Sequence, residues 1–313
     1  MTITQLKYVL AVAEYKNFTK AAKKVFVTQP TLSMQIQKLE DELDVKIFDR
    51  TKKPIELTEV GVTLVQQAKN IVYESERMQD VIDQQKGYIG GSFTLGIIPT
   101  VTSTLLPMFL NTFINEHSKV KLKIVEMTTK DMVYQLLEGT IDAGIAATPL
   151  NHSEINEKPL YYEPFIGYVP SHHYLNIKKK LKPSDLNLES LLLLEDGHCF
   201  RDNILNICKN NTETTGEGFK LVSGSIETML KLANEGLGMT LLPYLHSLDV
   251  KEEYKKYLKK FETPSPAREV SIIYNTNKLK IQIIDALHTT ISNIVRGAIA
   301  FEDVKIIAPI LSK

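Results

Sequence analysis

The chain has no excess of charge, no long apolar run, no nucleotide-binding glycine fingerprint and only two cysteines among its 313 residues. Each shortage excludes a class of protein. Basic and acidic residues balance at 37 each, so this is not a globally polycationic nucleic-acid binder, although balance leaves room for a local basic patch. No apolar stretch approaches the roughly 20 residues that span a membrane, and no basic leader followed by an unbroken apolar segment marks a signal peptide. The expected compartment is therefore cytoplasmic, where thiols are kept reduced and a disulfide is transient, catalytic or sensory. What is present is an apolar fraction of 43%, the mark of a well-folded chain. Its length exceeds one typical core and implies two or three domains.

Residues 1–60 read as helices followed by a hairpin. In "TQLKYVLAVAEYKN" the residues Leu6, Val9, Leu10 and Ala13 recur at helical spacing. "FTKAAKKV" follows an Asn17 break, with Ala21 and Ala22 small enough for close helix packing. "VTQPTLSMQIQKLEDEL" has Thr28 as an N-cap, Pro30 in the first turn, and an apolar stripe at Leu32, Ile36, Leu39 and Leu43. Its other face presents Gln29, Thr31, Ser33, Gln35 and Lys38. A polar-tipped helix after a short helix and a tight turn is the helix-turn-helix pattern, whose recognition helix enters the major groove. "KIFDRTKKPIELTEVG" then reads as a wing carrying Arg50, Lys52 and Lys53. The acids Glu40, Asp41, Glu42 and Asp44 cluster behind the reading end, leaving Lys20, Lys23, Lys24, Arg50, Lys52 and Lys53 for phosphate.

Phe18 with Ala21 and Ala22, "TQPTLSMQIQKLEDEL", "IFDR" and "LTEVG" together make this segment resemble the winged helix-turn-helix of LysR-type transcriptional regulators. The resemblance implies that Gln29, Pro30, Thr31 and Ser33 read double-stranded DNA and that Arg50 meets its backbone or minor groove; Gln35, Lys52 and Lys53 complete the candidate surface. A linker helix is expected over residues 61–89. Leu64, Ala68, Ile71, Ser75, Met78 and Ile82 form a coiled-coil-like seam, which favours dimerisation. "KGYIGGS" ends it.

Beyond residue 90 short apolar strands alternate with helices, the grammar of a mostly parallel α/β sheet. "LLLLE" and "GFKLVSG" are among the expected strands. About 220 residues of this pattern suggest two smaller lobes, and the family resemblance implies a two-lobed, periplasmic-binding-protein-like α/β effector domain. The expected fold class is thus α/β with an all-α winged helix-turn-helix N-terminal domain and a linker helix. Lobe I spans 90–163 and 267–300, lobe II spans 164–266, and 301–313 is a tail with no assigned element.

Ligands of open parallel sheets bind beyond strand carboxyl ends, at helix N-termini. "LGIIPT" brings Thr100 there, "KIVEMTT" brings Thr128 and Thr129, and "LLLLEDGHC" brings His198 and Cys199. Cys199 opens a helix-like stretch whose stripe is Phe200, Ile204, Ile207 and Cys208. A thiol at a helix N-terminus, flanked by His198 and Arg201, meets conditions that lower its pKa towards neutrality, as attack on a peroxide requires. Cys208, on the apolar stripe, is expected to be buried and inert. Nine residues of helix would separate the two Cα atoms by roughly 13–14 Å, whereas a disulfide needs about 4.4–6.8 Å. Any bond between them requires the helix to unwind.

"LEDGHCFRDNILNIC" resembles the redox segment of the peroxide-sensing members of the LysR family. That resemblance implies a redox-active pair, with Cys199 oxidised by hydrogen peroxide and then bonded to Cys208. It places peroxide on Thr100, Thr129 and His198, with Asp202, Arg201 and Arg268 in supporting roles. It also implies a homodimer assembling to a homotetramer, contact with RNA polymerase, re-reduction by glutathione with glutaredoxin or by thioredoxin, and no cofactor. Phe200 stands where the family carries a smaller aliphatic residue. Three other readings compete. A LysR regulator of a small metabolite, with incidental cysteines, does not account for the "GHC" setting. A thiol peroxidase does not explain the DNA-binding head. A metal site would need more ligands than His198, Cys199 and Cys208, and none shows recognisable spacing.

Overall fold

The computed structural model describes residues 1–85, 89–195, 198–208, 225–276, 280–299 and 304–309. The chain divides into two compact units, Met1–Tyr88 and Ile89–Lys313.

In the first unit, α1 (Ile3–Tyr15), α2 (Phe18–Lys24) and α3 (Gln29–Leu43) each start at a side-chain cap. Thr2 and Gln5 form a reciprocal capping box, Asn17 accepts from Lys20 N at 2.9 Å, and Thr28 accepts from Thr31 N at 3.4 Å. β1 (Phe48–Asp49) and β2 (Glu56–Leu57) pair antiparallel as the wing, and α4 (Glu59–Gln85) follows. Leu32, Ile36 and Leu39 are fully buried with Val9, Val12 and Ala21, each large aliphatic contributing roughly 1.5–3 kcal/mol. Leu43, expected in the same stripe, is 37% exposed because α3 ends there and Asp44 turns left-handed. α4 sends Val65, Ala68 and Val72 into this core, packed on α1. Two seam residues, Leu64 and Ala68, are thus claimed by their own unit, while Ile71 and Met78 stay exposed at 40% and 70%. Ile82 has no described side chain, and part of "KGYIGGS" falls outside the described residues.

The second unit begins with β3 (Gly91–Ile97), α5 (Pro99–Glu116), β4 (Val120–Glu126), α6 (Thr129–Glu138) and β5 (Ala143–Thr148), with β3 parallel to both β4 and β5. A Cβ on Gly144 would stand 2.1 Å from Met132 Sδ, so this glycine lets α6 lie close on β5. The chain continues through β6 (Ile155–Tyr168), β7 (Lys180–Leu181), α7 (Cys199–Ile207), α8 (Ile226–Asn234), β8 (Thr240–Pro243) and α9 (Tyr244–Leu248). β9 (Leu258–Phe261), β10 (Ser265–Asn275), α10 (Ile281–Val295) and β11 (Val304–Ile306) complete it. The strand order is β4-β3-β5-β10-β6-β9-β7, with β8 also on β6 and β11 also on β10.

Two cores lie along this sheet, one under β3, β5, α5, α6 and α10, the other under β8, α7 and α8. β6 joins them: its residues 155–164 pair with β10, and residues 165–168 pair with β8 and β9. Because β6 and β10 run antiparallel to each other, and β10 antiparallel to β5, the sheet is mixed rather than mostly parallel. Leu191, Leu192 and Leu194 are buried and Leu193 partly so, but the run makes an isolated bridge, Leu191 to Met239, in place of the expected strand. The strand expected at "GFKLVSG" lies outside the described residues. The tail, given no element from sequence, contributes β11. No helix among the described residues is long and apolar enough to cross a membrane.

Candidate functional site

In the first unit Gln29, Pro30 and Thr31 are exposed at the start of α3, Ser33 and Gln35 are partly buried, and Lys52 and Lys53 are exposed at the wing tip. Gln35 also accepts weakly from Gln5, at 3.4 Å. The acids behind the reading end are not all surface charge. Glu40 is 1% exposed; its Oε1 accepts from Ile47 N at 2.8 Å and Phe48 N at 3.2 Å, and its Oε2 takes Arg50 at 2.9 Å. Arg50 lies 5.2 Å over the Phe18 ring. The wing arginine is therefore anchored to α3 and aimed by it, not simply left over for phosphate, and Lys52 is paired with Glu56 at 2.5 Å.

In the second unit, two helices that follow parallel strands open on threonines. Ile98 precedes α5, so Thr100 falls in its first turn; Thr128 caps α6 by accepting from Asp131 N, and Thr129 is its first residue. Cys199 opens α7. All three groups are buried: Thr100 and Thr129 are 3% exposed and Cys199 5%. Thr129 and the Ala147 backbone act on the Cys199 thiol directly. Yet Thr129 Oγ1 completes no hydrogen bond of full geometry. It is a loose neighbour of the sulfur, with bonding capacity to spare.

Arg268, on β10, closes the other side and is 1% exposed. Its Nε and Nη2 donate to Glu163 Oε2 at 2.9 and 2.7 Å; Nη1 donates to Thr100 Oγ1 at 2.8 Å and Nη2 to the Thr100 carbonyl at 3.1 Å. The guanidinium rides 5.4 Å over Phe200, whose ring lies 5.4 Å from that of Phe165. The aromatic residue at position 200 thus forms the floor beneath the charge. Cys199 belongs to the first core and Phe200 to the second, so the start of α7 sits where the two cores meet.

Burial pushes the Cys199 thiol above its usual range. Arg268 is the largest influence holding it down, followed by Thr129 and the Ala147 backbone, while Asp202 pushes it further up. This corrects the expectation of a lowered pKa. Arg201, expected to favour the thiolate, instead gives Nη1 to the Leu194 carbonyl at 3.0 Å. His198, 9% exposed, faces Glu195 at 3.6 Å. Desolvation of the buried thiol thus outweighs the opposing pull of Arg268, Thr129 and the Ala147 backbone. Cys208, 1% exposed in the second core, is pushed up to about 11 by burial alone. Both cysteines are free thiols.

Three residues of this arrangement had no signal in the sequence. Glu163 is the partner of Arg268, and its Oε1 also accepts from Leu245 N at 2.9 Å, which ties α9 to the site. His246, next along α9, bonds Ser103 of α5 at 3.1 Å, and burial and Arg268 lower its pKa to about 4. Tyr161 buries an unpartnered hydroxyl beside Glu163 and Arg268. Only the pairing of β6 with β10, which sets Arg268 opposite Glu163, could have found the first of these. A separate cavity of about 250 Å³ between β6 and α10 includes Tyr161 and His288 in its lining but neither cysteine.

Comparison with known proteins agrees with this architecture. Residues 3–62 match the family described as "Bacterial regulatory helix-turn-helix protein, lysR family", and residues 86–293 match the "LysR substrate binding domain". The hydrogen peroxide-inducible genes activator of Dickeya chrysanthemi is 34% identical over 279 residues, covering 88% of this chain and 89% of the relative. The DNA-binding transcriptional dual regulator OxyR of Escherichia coli (strain K12) is 34% identical over 278 residues, covering 88% and 89%. Among solved structures, a cysteine-to-aspartate variant of full-length OxyR from Pseudomonas aeruginosa has a TM-score of 0.75 at 31% identity, covering 93% of this chain and 98% of that one. A cysteine-to-serine variant of OxyR from Corynebacterium glutamicum, with hydrogen peroxide bound, has a TM-score of 0.63 at 29% identity, covering 95% and 93%. The chain belongs to the LysR family of transcription regulators, and within that family it resembles the OxyR hydrogen peroxide activators.

Proposed function

We propose that this chain is a DNA-binding transcriptional activator that senses hydrogen peroxide through Cys199 and answers by bonding it to Cys208. The observation that carries this reading is a buried thiol at the start of α7, set between Arg268 and a threonine hydroxyl with no completed hydrogen bond. Burial to 5% exposure favours a small neutral oxidant over charged or bulkier ones. Thr100, Thr129 and His198 would hold the peroxide. The small ionised fraction of Cys199 attacks one peroxide oxygen and the O–O bond breaks. The departing oxygen leaves as hydroxide and takes up the proton the thiol has lost, giving a sulfenic acid and water. Arg268 acts where negative charge develops, so its contribution falls on the transition state more than on the resting thiol.

The second step joins the sulfurs. Cys208 Sγ attacks Cys199 Sγ as the S–O bond breaks, and hydroxide leaves as water with the Cys208 proton. α7 runs unbroken from Cys199 to Ile207, so the Cα atoms begin roughly 13 Å apart and the helix must unwind. A bond made at the expense of native packing is reducible by cytoplasmic thiols, whether glutathione with glutaredoxin or thioredoxin. In this reading Gln29, Pro30, Thr31, Ser33, Gln35, Arg50, Lys52 and Lys53 meet the operator. The exposed Ile71 and Met78 of α4 contribute to a homodimer that pairs to a homotetramer, and the rearranged form engages RNA polymerase. A metabolite sensor would not require a reactive thiol, and the cavity by α10 has no cysteine in its lining.

Trapping tests the first step. In a Cys208→Ser variant, one equivalent of hydrogen peroxide should leave a dimedone adduct on Cys199, and Cys199→Ser should abolish the response while basal DNA binding remains. An unmodified Cys199 at peroxide levels that spare ordinary thiols would refute the sensor.

A further inference from the structure

Between the two cysteines, α7 is held by the far end of the chain. β11 pairs in parallel with the start of β10, Val304 beside Ser265 and Ile306 beside Ala267. Ile307 N then donates to the Ala267 carbonyl at 2.8 Å, and the Ile307 side chain packs against the second core. From α7, Asn203 Nδ2 donates to the Ile307 carbonyl at 2.7 Å and Asn206 Nδ2 to the Ala308 carbonyl at 2.7 Å. The two asparagines are three residues apart and so share a helix face. Asn203 is wholly buried, and Pro309 is buried just beyond. The strap reaches β10 at Ala267, the residue before Arg268.

We propose that residues 304–309 are a strap on the redox helix, which Asn203 and Asn206 position, and that it sets how readily an oxidised Cys199 reaches Cys208. The inference rests on the sensor reading above. Its logic is geometric. The disulfide requires α7 to unwind, and both strap-bonded asparagines lie inside the segment that unwinds. Forming the bond therefore breaks two side-chain hydrogen bonds to the strap and lifts the helix from Ile307. Among the described residues the strap pairs with Ser265–Ala267 and takes side-chain hydrogen bonds from Asn203 and Asn206, not from Cys199, Thr100, Thr129 or Arg268, so the reaction with peroxide is expected to proceed without it. Cleavage or displacement of the tail by another molecule would sensitise the switch without altering the oxidant chemistry.

The test separates the two steps. Three chains are compared at full length otherwise: the parent, a truncation ending before Val304, and Asn206→Ala. Circular dichroism and thermal unfolding first establish that each is folded. Sulfenate formation on Cys199 is measured by dimedone trapping in the Cys208→Ser background, and disulfide formation by acid quench and peptide mass in the two-cysteine background. The expected result is a sulfenate rate within twofold of the parent in all three, with disulfide formation at least tenfold faster in the truncation and at least threefold faster in Asn206→Ala. If the truncation does not fold, Asn206→Ala decides alone. A disulfide rate within 1.5-fold of the parent, alongside normal sulfenate formation, overturns the strap and leaves the sensor standing. Absence of sulfenate in every chain overturns the sensor, and the strap with it.

Discussion

Replacing Arg268 with glutamine should damage stability and reactivity together, and a second substitution should separate them. The arginine makes two bonds to Glu163 at 2.7–2.9 Å, two to Thr100 at 2.8–3.1 Å, and covers Phe200. Glu163 is itself 1% exposed and, among the described residues, keeps the Leu245 amide as its one hydrogen-bond donor when the guanidinium goes. Removing one partner of a buried pair costs about 3–5 kcal/mol, because the other charge stays buried alone. Adding Glu163→Gln removes that stranded carboxylate, so the double variant should recover most of the loss in urea unfolding. Reactivity should not recover with it. Arg268 is the largest influence opposing desolvation of the Cys199 thiol, and each further unit of pKa leaves about tenfold less thiolate at neutral pH. Stopped-flow oxidation by peroxide at pH 7 should be slower by about tenfold or more in both the single and the double variant. Should the double variant regain the parent rate along with its stability, Arg268 serves only the fold and its proposed role on the thiol is wrong.

Three further outcomes follow from the same geometry. The peroxide rate of Cys199 should rise about tenfold per pH unit from pH 6 to 8.5, since burial holds the thiol above its usual range; a plateau reached below pH 7 would contradict a neutral resting thiol. His246 titrates near 4 in the folded chain against an ordinary value of 6.5, so the unfolded chain binds the extra proton between those values. Its contribution is complete above pH 6.5 and is lost as pH falls towards 4; His246→Asn should flatten that part of the stability profile, and an unchanged slope would reassign it. Glu40→Ala strands two buried backbone donors, Ile47 N and Phe48 N, and frees Arg50. At about 1–3 kcal/mol per unsatisfied group, the variant should unfold at lower temperature and bind DNA more weakly; a wild-type melting temperature would mean the wing is held by other contacts.

The parts of this fold governed by local chemistry were readable from sequence. Thr2, Asn17 and Thr28 are caps because a hydroxyl or amide stands where helix donors lack partners, and Leu32, Ile36 and Leu39 are core because 3.6-residue spacing gives them one face. The same reasoning placed Thr100, Thr129 and Cys199 at helix N-termini. It failed where long-range register decides. Arg268 meets Glu163 only because β10 lies antiparallel to β6, 105 residues away in sequence. The thiol pKa went wrong for a related reason: helix position and neighbouring charges are local, but desolvation depends on how completely other elements close over the sulfur. "LLLLE" was misread because an apolar run says buried, not paired. The strap was invisible because Asn203 and Asn206 look like ordinary polar helix residues until residues 307 and 308 are laid beside them.

The central claim is that oxidation couples the Cys199–Cys208 bond to DNA recognition. One titration tests it most directly: reduced protein on operator DNA receives increasing hydrogen peroxide, and each sample is divided between non-reducing peptide mapping and a DNA footprint. The expected result is that the fraction of chains carrying the Cys199–Cys208 disulfide and the fraction showing an altered footprint rise together, and that both reverse with a thiol reductant. A footprint that changes while both cysteines remain thiols, or a complete disulfide with no change on DNA, would contradict the account.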